Sequence, residues 1–210
     1  MRTFLDDHPL KPEPATPADA LRAGSNAAQR KGRIIVEIIA DGQPLAPEEL
    51  GAPAHAPVAE LRLVSAEPRA IVHDALGEAR AILADLHAAQ THAGDAFLMG
   101  EFETGTANLR EIIGAWQRVR SALEQSAALL AVPVDTLQLD AGDGPRPMRN
   151  EIETLAAALG QLKEAISRQD VAALADLLEY DLGALARRWD RMLGAFLGIG
   201  QTRTKSCECS

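Results

Sequence analysis

The 210-residue sequence predicts an α+β fold, and three observations carry that prediction. The stretch Ile34-Ile35-Val36-Glu37-Ile38-Ile39 is almost wholly β-branched, which suits a half-buried pleated strand. From Glu67 onward the apolar spacing changes to alternating steps of three and four, the period of a helix face. Apolar residues make up 47% of the chain but aromatic ones only 3%, so the core must be Ala, Leu, Ile and Val, a mixture that favours helices. The expected layout is a small strand–helix–strand–strand unit over residues 1–65, read as β-grasp-like. An antiparallel four-helix bundle follows over 66–198, and then a disordered tail over 199–210.

In chain order, "RTFLDDHPL" reads as a short strand running into a turn. Thr16-Pro17-Ala18-Asp19 starts a helix: Thr16 caps, Pro17 suits the first helical position, and Asp19 supplies the acid of a capping box. Gly32 is its natural stop. "RIIVEIIADGQPL" is the strongest strand in the chain, with both faces partly buried and Asp41-Gly42 as its turn. Ala46-Pro47-Glu48-Glu49-Leu50 suits one helical turn, "GAPAHAP" a loop, and the alternation in "VAELRLVS" a last strand.

Four helices follow. Helix A, Glu67 to Ala93, carries Val72, Leu76, Ala79, Leu83 and Leu86 on one side, and the glycines of "HAGDAFLMGEFETGT" interrupt it. Helix B, Thr106 to Ala131, carries Leu109, Ile112, Trp116, Val119, Leu123 and Leu130. A linker spans Pro133 to "DAGDGPRP". Helix C, Arg149 to Arg168, carries Ile152, Leu155, Leu159, Leu162 and Ile166. Asp170 caps helix D, whose seam is Val171, Ala175, Leu178, Leu182, Leu185, Trp189, Met192 and Phe196. This seam is the kind that packs at shallow crossing angles.

The chemistry is expected to be sparse. Cys207 and Cys209 are soft ligands with no third or fourth partner nearby, so no metal is expected. None of the five histidines sits in a Glu-x-x-His pair, and no Gly-x-Ser-x-Gly elbow, Walker A loop or Gly-x-Gly-x-x-Gly turn occurs. No catalytic residue and no cofactor are therefore assigned. The formal charge of −9 argues against a nucleic-acid partner. No run approaches 18 uninterrupted apolar residues, so no membrane span is expected, and the first residues lack the apolar region of a signal peptide. Cysteine usage points to a cytoplasmic protein.

One feature of helix D stands out. Ala173, Leu177, Tyr180 and Ala184 recur at steps of four, three and four, away from the seam. A helix apolar on two sides has two things to touch. These four residues are assigned as a partner-binding face, the partner being the chain's own N-terminal unit, a second copy in a homodimer, or a peptide. The expected function is non-enzymatic: an interaction or scaffold protein using apolar helix surfaces. An alternative from another class is an enzyme or small-ligand binder with its site where the two units join.

The segments "ISRQDVAAL" and "ARRWDRML" resemble the last helices of flagellin export chaperones, in which a long helix, a short Asn/Asp-containing turn and a Trp-bearing helix follow one another. The resemblance covers about a fifth of the chain and does not extend to the N-terminal unit. It implies a groove between helices that holds a secretion substrate, and hence a third reading as a chaperone-like peptide binder.

Overall fold

The computed structural model describes residues 1–46, 58–142 and 144–202. The helical turn expected at 46–50 and the loop at 51–57 therefore fall almost entirely outside the described residues, as do Cys207 and Cys209. The protein is mixed α+β and divides into two compact units, Met1–Ile71 and Val72–Ser210.

The first unit holds a five-stranded sheet and one helix. Its elements are β1 (Arg2–Leu5), β2 (His8–Pro9), α1 (Pro17–Gln29), β3 (Ile34–Ala40), β4 (Gln43–Pro44) and β5 (Glu60–Ala66). The strand order is β2-β1-β5-β3-β4, with β1 parallel to β5 and every other pair antiparallel. The last strand is thus central, and β3 lies one place from the edge. Alternation in β5 sends Leu61, Leu63 and Ser65 inward. Leu61 and Leu63 meet the Ala20, Gly24 and Ala28 face of α1, whose start is capped by Thr16 as expected: its Oγ1 accepts from the Asp19 amide at 3.1 Å, while the Asp19 carboxylate takes the Thr16 hydroxyl rather than the Thr16 amide of a full capping box. A Cβ on Gly24 would overlap Leu63 Cδ1, so the small residue lets the helix lie directly on the sheet.

Both hairpins of this sheet turn through two residues of positive φ, Asp6-Asp7 and Asp41-Gly42, the backbone that matches strand twist. In each, the first aspartate also reaches across to β5. Asp6 accepts from the Ser65 amide at 2.7 Å and from its hydroxyl at 2.6 Å. Asp41 accepts from the amides of Glu60 (2.8 Å) and Ala59 (3.1 Å). The central strand is held at both ends by turn carboxylates.

The hydroxyl bond from Ser65, together with its amide and the nearby Arg33 and Lys31 charges, draws the Asp6 pKa below its ordinary value, against an opposing effect of burial. A carboxylate with a lowered folded pKa contributes stability that is present above its unfolded value and lost as pH falls through the folded one. Asp6→Asn is therefore expected to destabilise the first unit at neutral pH and to flatten its acid limb below about pH 4. Amide exchange at Leu63 and Ser65, followed from neutral to acid pH in both proteins, checks this. Parallel acid limbs in wild type and variant would refute it.

The second unit contains α2 (Pro68–Leu98), α3 (Phe102–Leu129), a 3₁₀ turn (Val134–Thr136), the hairpin β6 (Gln138–Asp140) and β7 (Pro145–Pro147), α4 (Met148–Arg168), α5 (Val171–Asp176) and α6 (Gly183–Thr202). The division between the units falls within the first turn of α2. The expected linker is thus structured: Asp140 Oδ1 accepts from the amides of Gly142 and Gly144, and Leu137, Leu139 and Ala141 enter the helical core. α5 runs into α6 through one π-helical stretch, Leu177–Leu182.

The helix seams expected from the sequence form one core, except at Ile166, where the last turn of α4 leaves the side chain in solvent. α2 runs antiparallel to α6: Gly94 lies against Ala175, Gly183 against His87, and Arg80 pairs with Asp190 at 2.7 Å. Glu151 on α4 meets Arg188 on α6 at 3.5 Å. Trp116 of α3 and Trp189 of α6 are both buried and pack edge to face, centroids 5.6 Å apart. α6 continues to Thr202, beyond the point where the sequence suggests a tail. Among the described residues, no helix is long and apolar enough to cross a membrane.

Candidate functional site

The four residues assigned to a partner face lie on an irregular part of the backbone. Ala173 sits on α5, Leu177 and Tyr180 lie in the π-helical stretch, and Ala184 lies at the start of α6. A π-turn closes its hydrogen bonds over one more residue than an α-turn, so positions before and after it do not stay on one 3.6-residue stripe. Ala173 and Leu177 are half-buried and pack on the helical core. They border a shallow groove with Ala165 and Arg168 of α4. Tyr180 is 63% exposed, and Ala184 is also in solvent. The backbone therefore separates these residues into two half-covered by the chain's own helices and two left outside.

A stronger apolar surface is present at the corner between α2 and α3. Six large hydrophobic residues are exposed among the described ones, and three of them fall within five positions: Leu98 (61%), Met99 (75%) and Phe102 (54%). The corner is tightly built. Gly100, at φ +80°, ends α2; its amide bonds to the Phe97 carbonyl and the Glu101 amide to the Ala96 carbonyl, a Schellman closure. Phe97 turns inward over Gly105, where a Cβ would come within 2.8 Å of its ring. Phe102 packs on Phe97 at 6.3 Å between centroids while keeping half its surface in water. The glycines in "FLMGEFETG" signal the break, but sequence alone does not reveal which side chains point outward.

Two further grooves contain polar groups. In the first unit, one of about 740 Å³ lies between α1 and β3, bordered by Leu21, Ser25, Ile35 and Leu45. In the second, one of about 570 Å³ lies between α2 and α6, bordered by Arg80, His87, Arg187 and Asp190. No group of three His, Cys, Asp or Glu side chains suited to a metal occurs among the described residues. No protein-family model, curated protein or solved structure matches the chain.

Proposed function

We propose that the protein is a non-enzymatic interaction module that docks a partner protein through the α2–α3 corner. The observation that carries this reading is the exposure of Leu98, Met99 and Phe102 on a backbone fixed by the Gly100 closure. Clustered apolar exposure costs solubility and is the usual mark of an interaction surface, whereas scattered apolar residues need no explanation. Tyr180, exposed on the π-helical stretch, is the second contact candidate and keeps the sequence-derived face with Ala173, Leu177 and Ala184 within the proposal.

The fold is read in the same terms. The first unit is a β-grasp: one helix on a mixed sheet whose first and last strands are the central parallel pair. The second is an antiparallel four-helix bundle of α2, α3, α4 and the α5–α6 rod, supported by the shared core. The partner is a protein or a second copy of the chain. A chaperone-like role remains tied to the helix-turn-helix resemblance alone.

Site-specific photo-crosslinking in the native host tests the docking surface. A photoreactive residue replacing Met99 or Phe102 is expected to give discrete adducts, of the chain with itself or with one partner, that the same group at exposed Gln117 does not give. Equal labelling at all three positions would remove the corner from consideration. A probe at Tyr180 separately tests the sequence-derived face.

A further inference from the structure

The groove between α2 and α6 has a chemistry that the docking corner does not use. Three arginines border it, Arg80, Arg187 and Arg191, against the single carboxylate of Asp190, in a chain whose net charge is −9. Two of the arginines are engaged. Arg80 is held by Asp190 through bonds of 2.7 and 3.3 Å, and Arg191 Nε donates to the Ala141 carbonyl. Arg187 has no acceptor among the described residues.

At the floor lies Gly183, the first residue after the π-helical stretch. Three polar atoms converge on the side-chain position that glycine leaves open: His87 Nδ1 at 3.5 Å, Arg187 Nη1 at 3.6 Å and Gln90 Oε1 at 3.9 Å. Gln90 is 0% exposed, and neither its oxygen nor its nitrogen has a hydrogen-bond partner. A fully buried carboxamide with nothing to bond is disfavoured in a core, where leucine would fill the same space without the penalty. It lies behind Gly183, beneath the groove wall and next to the two groups there that do face the groove, His87 and Arg187. The walls beside it, Leu83, Ala84 and Ala186, are apolar. A volume of about 570 Å³ falls in the range of small-molecule sites.

We propose that the α2–α6 groove binds a small organic anion, a carboxylate or phosphomonoester head on a short apolar body. Arg187 takes the head through its planar donor fork, which fits both groups. His87 completes the polar end, with the buried Gln90 carboxamide behind both groups as a positioning residue, and the alanine and leucine walls take the body. Gly183 leaves open the point at which His87 and Arg187 meet. The site is separate from Leu98, Met99 and Phe102, so the two proposals stand or fall independently.

Titration of the full-length protein with hexanoate, hexyl phosphate, hexanol and inorganic phosphate, followed by amide NMR, tests it. One or both hexyl anions are expected to shift Gly183, His87 and Arg187, and the tighter of the two identifies the head group. Hexanol and inorganic phosphate should bind at least about tenfold more weakly. Arg187→Ala, a change at an exposed side chain, should weaken the anion by a similar factor and leave unliganded thermal unfolding unchanged. Gln90→Leu should raise unliganded stability while lowering affinity, a combination that a purely structural glutamine would not give. Absence of binding at millimolar anion, equal binding of hexanol or inorganic phosphate, unchanged affinity in Arg187→Ala, or a destabilised Gln90→Leu overturns the proposal.

Discussion

Trp189→Ala is expected to lower the stability of the helical unit by about 3–5 kcal/mol. The side chain is fully buried on α6 and meets the equally buried Trp116 of α3 at an interplanar angle of 84°. In a core with so few aromatics, this pair is a large share of the ring surface that joins α3 to α6. Truncation removes the largest apolar surface on α6 and leaves a cavity that neighbouring leucines cannot fill without leaving their rotamers. The indole nitrogens of both residues lack a hydrogen-bond partner, so alanine also removes a buried donor, which offsets part of the loss. Trp189→Phe keeps a ring and should cost less. Urea unfolding followed by far-UV circular dichroism checks the order. A double-mutant cycle with Trp116→Ala should return a coupling of about 0.5–1.5 kcal/mol from the edge-to-face contact. A loss for Trp189→Ala below about 1 kcal/mol would mean that this core is loosely packed.

The second large effect is asymmetric. Glu151 is only 2% exposed, and its Oε2 has no hydrogen bond, yet it lies 3.5 Å from the Arg188 guanidinium. It also stands in the first turn of α4, where the helix dipole favours a negative charge. Removing Arg188 takes away the only cation among the described residues that pairs with this carboxylate, which water barely reaches. Arg188→Ala is therefore expected to cost on the order of 3 kcal/mol. Removing the carboxylate instead should be nearly neutral, because an apolar side chain of similar length avoids the cost of burying charge. Glu151→Met is expected to change stability little, and to rescue most of the loss when combined with Arg188→Ala. Urea midpoints of the two single variants and the double variant decide this. Equal losses in both single variants would show that the pair itself, and not an orphaned charge, is the source of stability.

Long periodic signals were the legible part of this fold. The seam of helix D, from Leu178 to Phe196, is buried as its spacing predicts, and so are Val72, Leu76, Ala79, Leu83 and Leu86 on α2. Short elements were not legible. β2 and β4 have two residues each, too few to show a period, and the β6–β7 hairpin is hidden in a stretch rich in glycine and proline. The run Ile34–Ile39 reads as a strand partly buried on both faces, and β3 is so; that the central place belongs to β5 was not legible, because sheet order depends on pairing across the chain and not on local hydrophobicity. Val36 is exposed where the register with β5 shifts.

The candidate site was less legible still. Nothing in "LEYD" announces a π-turn, since an α-helix and a π-turn share the same helix-forming residues. The seam stays buried through it, but the inferred second face does not hold together: Ala173 and Leu177 are half-buried while Tyr180 and Ala184 lie in solvent. Gln90 sits among His87, Thr91 and His92 and does not stand out in the sequence; only the packing of α6 through Gly183 shows what lies beside it.

The pinning of β5 by Asp6 and Asp41 bears on how the chain acquires its structure during synthesis. β1 has no parallel partner until Glu60–Leu63 exist, and both turn carboxylates wait for the amides and hydroxyl of the same late strand. The two N-terminal hairpins and α1 emerge first and can form only local contacts. The loop closed by pairing Arg2 with Glu60 must be ordered in one step when β5 arrives. A ribosome-bound chain ending before residue 60 therefore lacks the strand that makes its sheet a sheet. The sheet is completed only once β5 has cleared the tunnel, by which time α2 has been made and is only beginning to leave it.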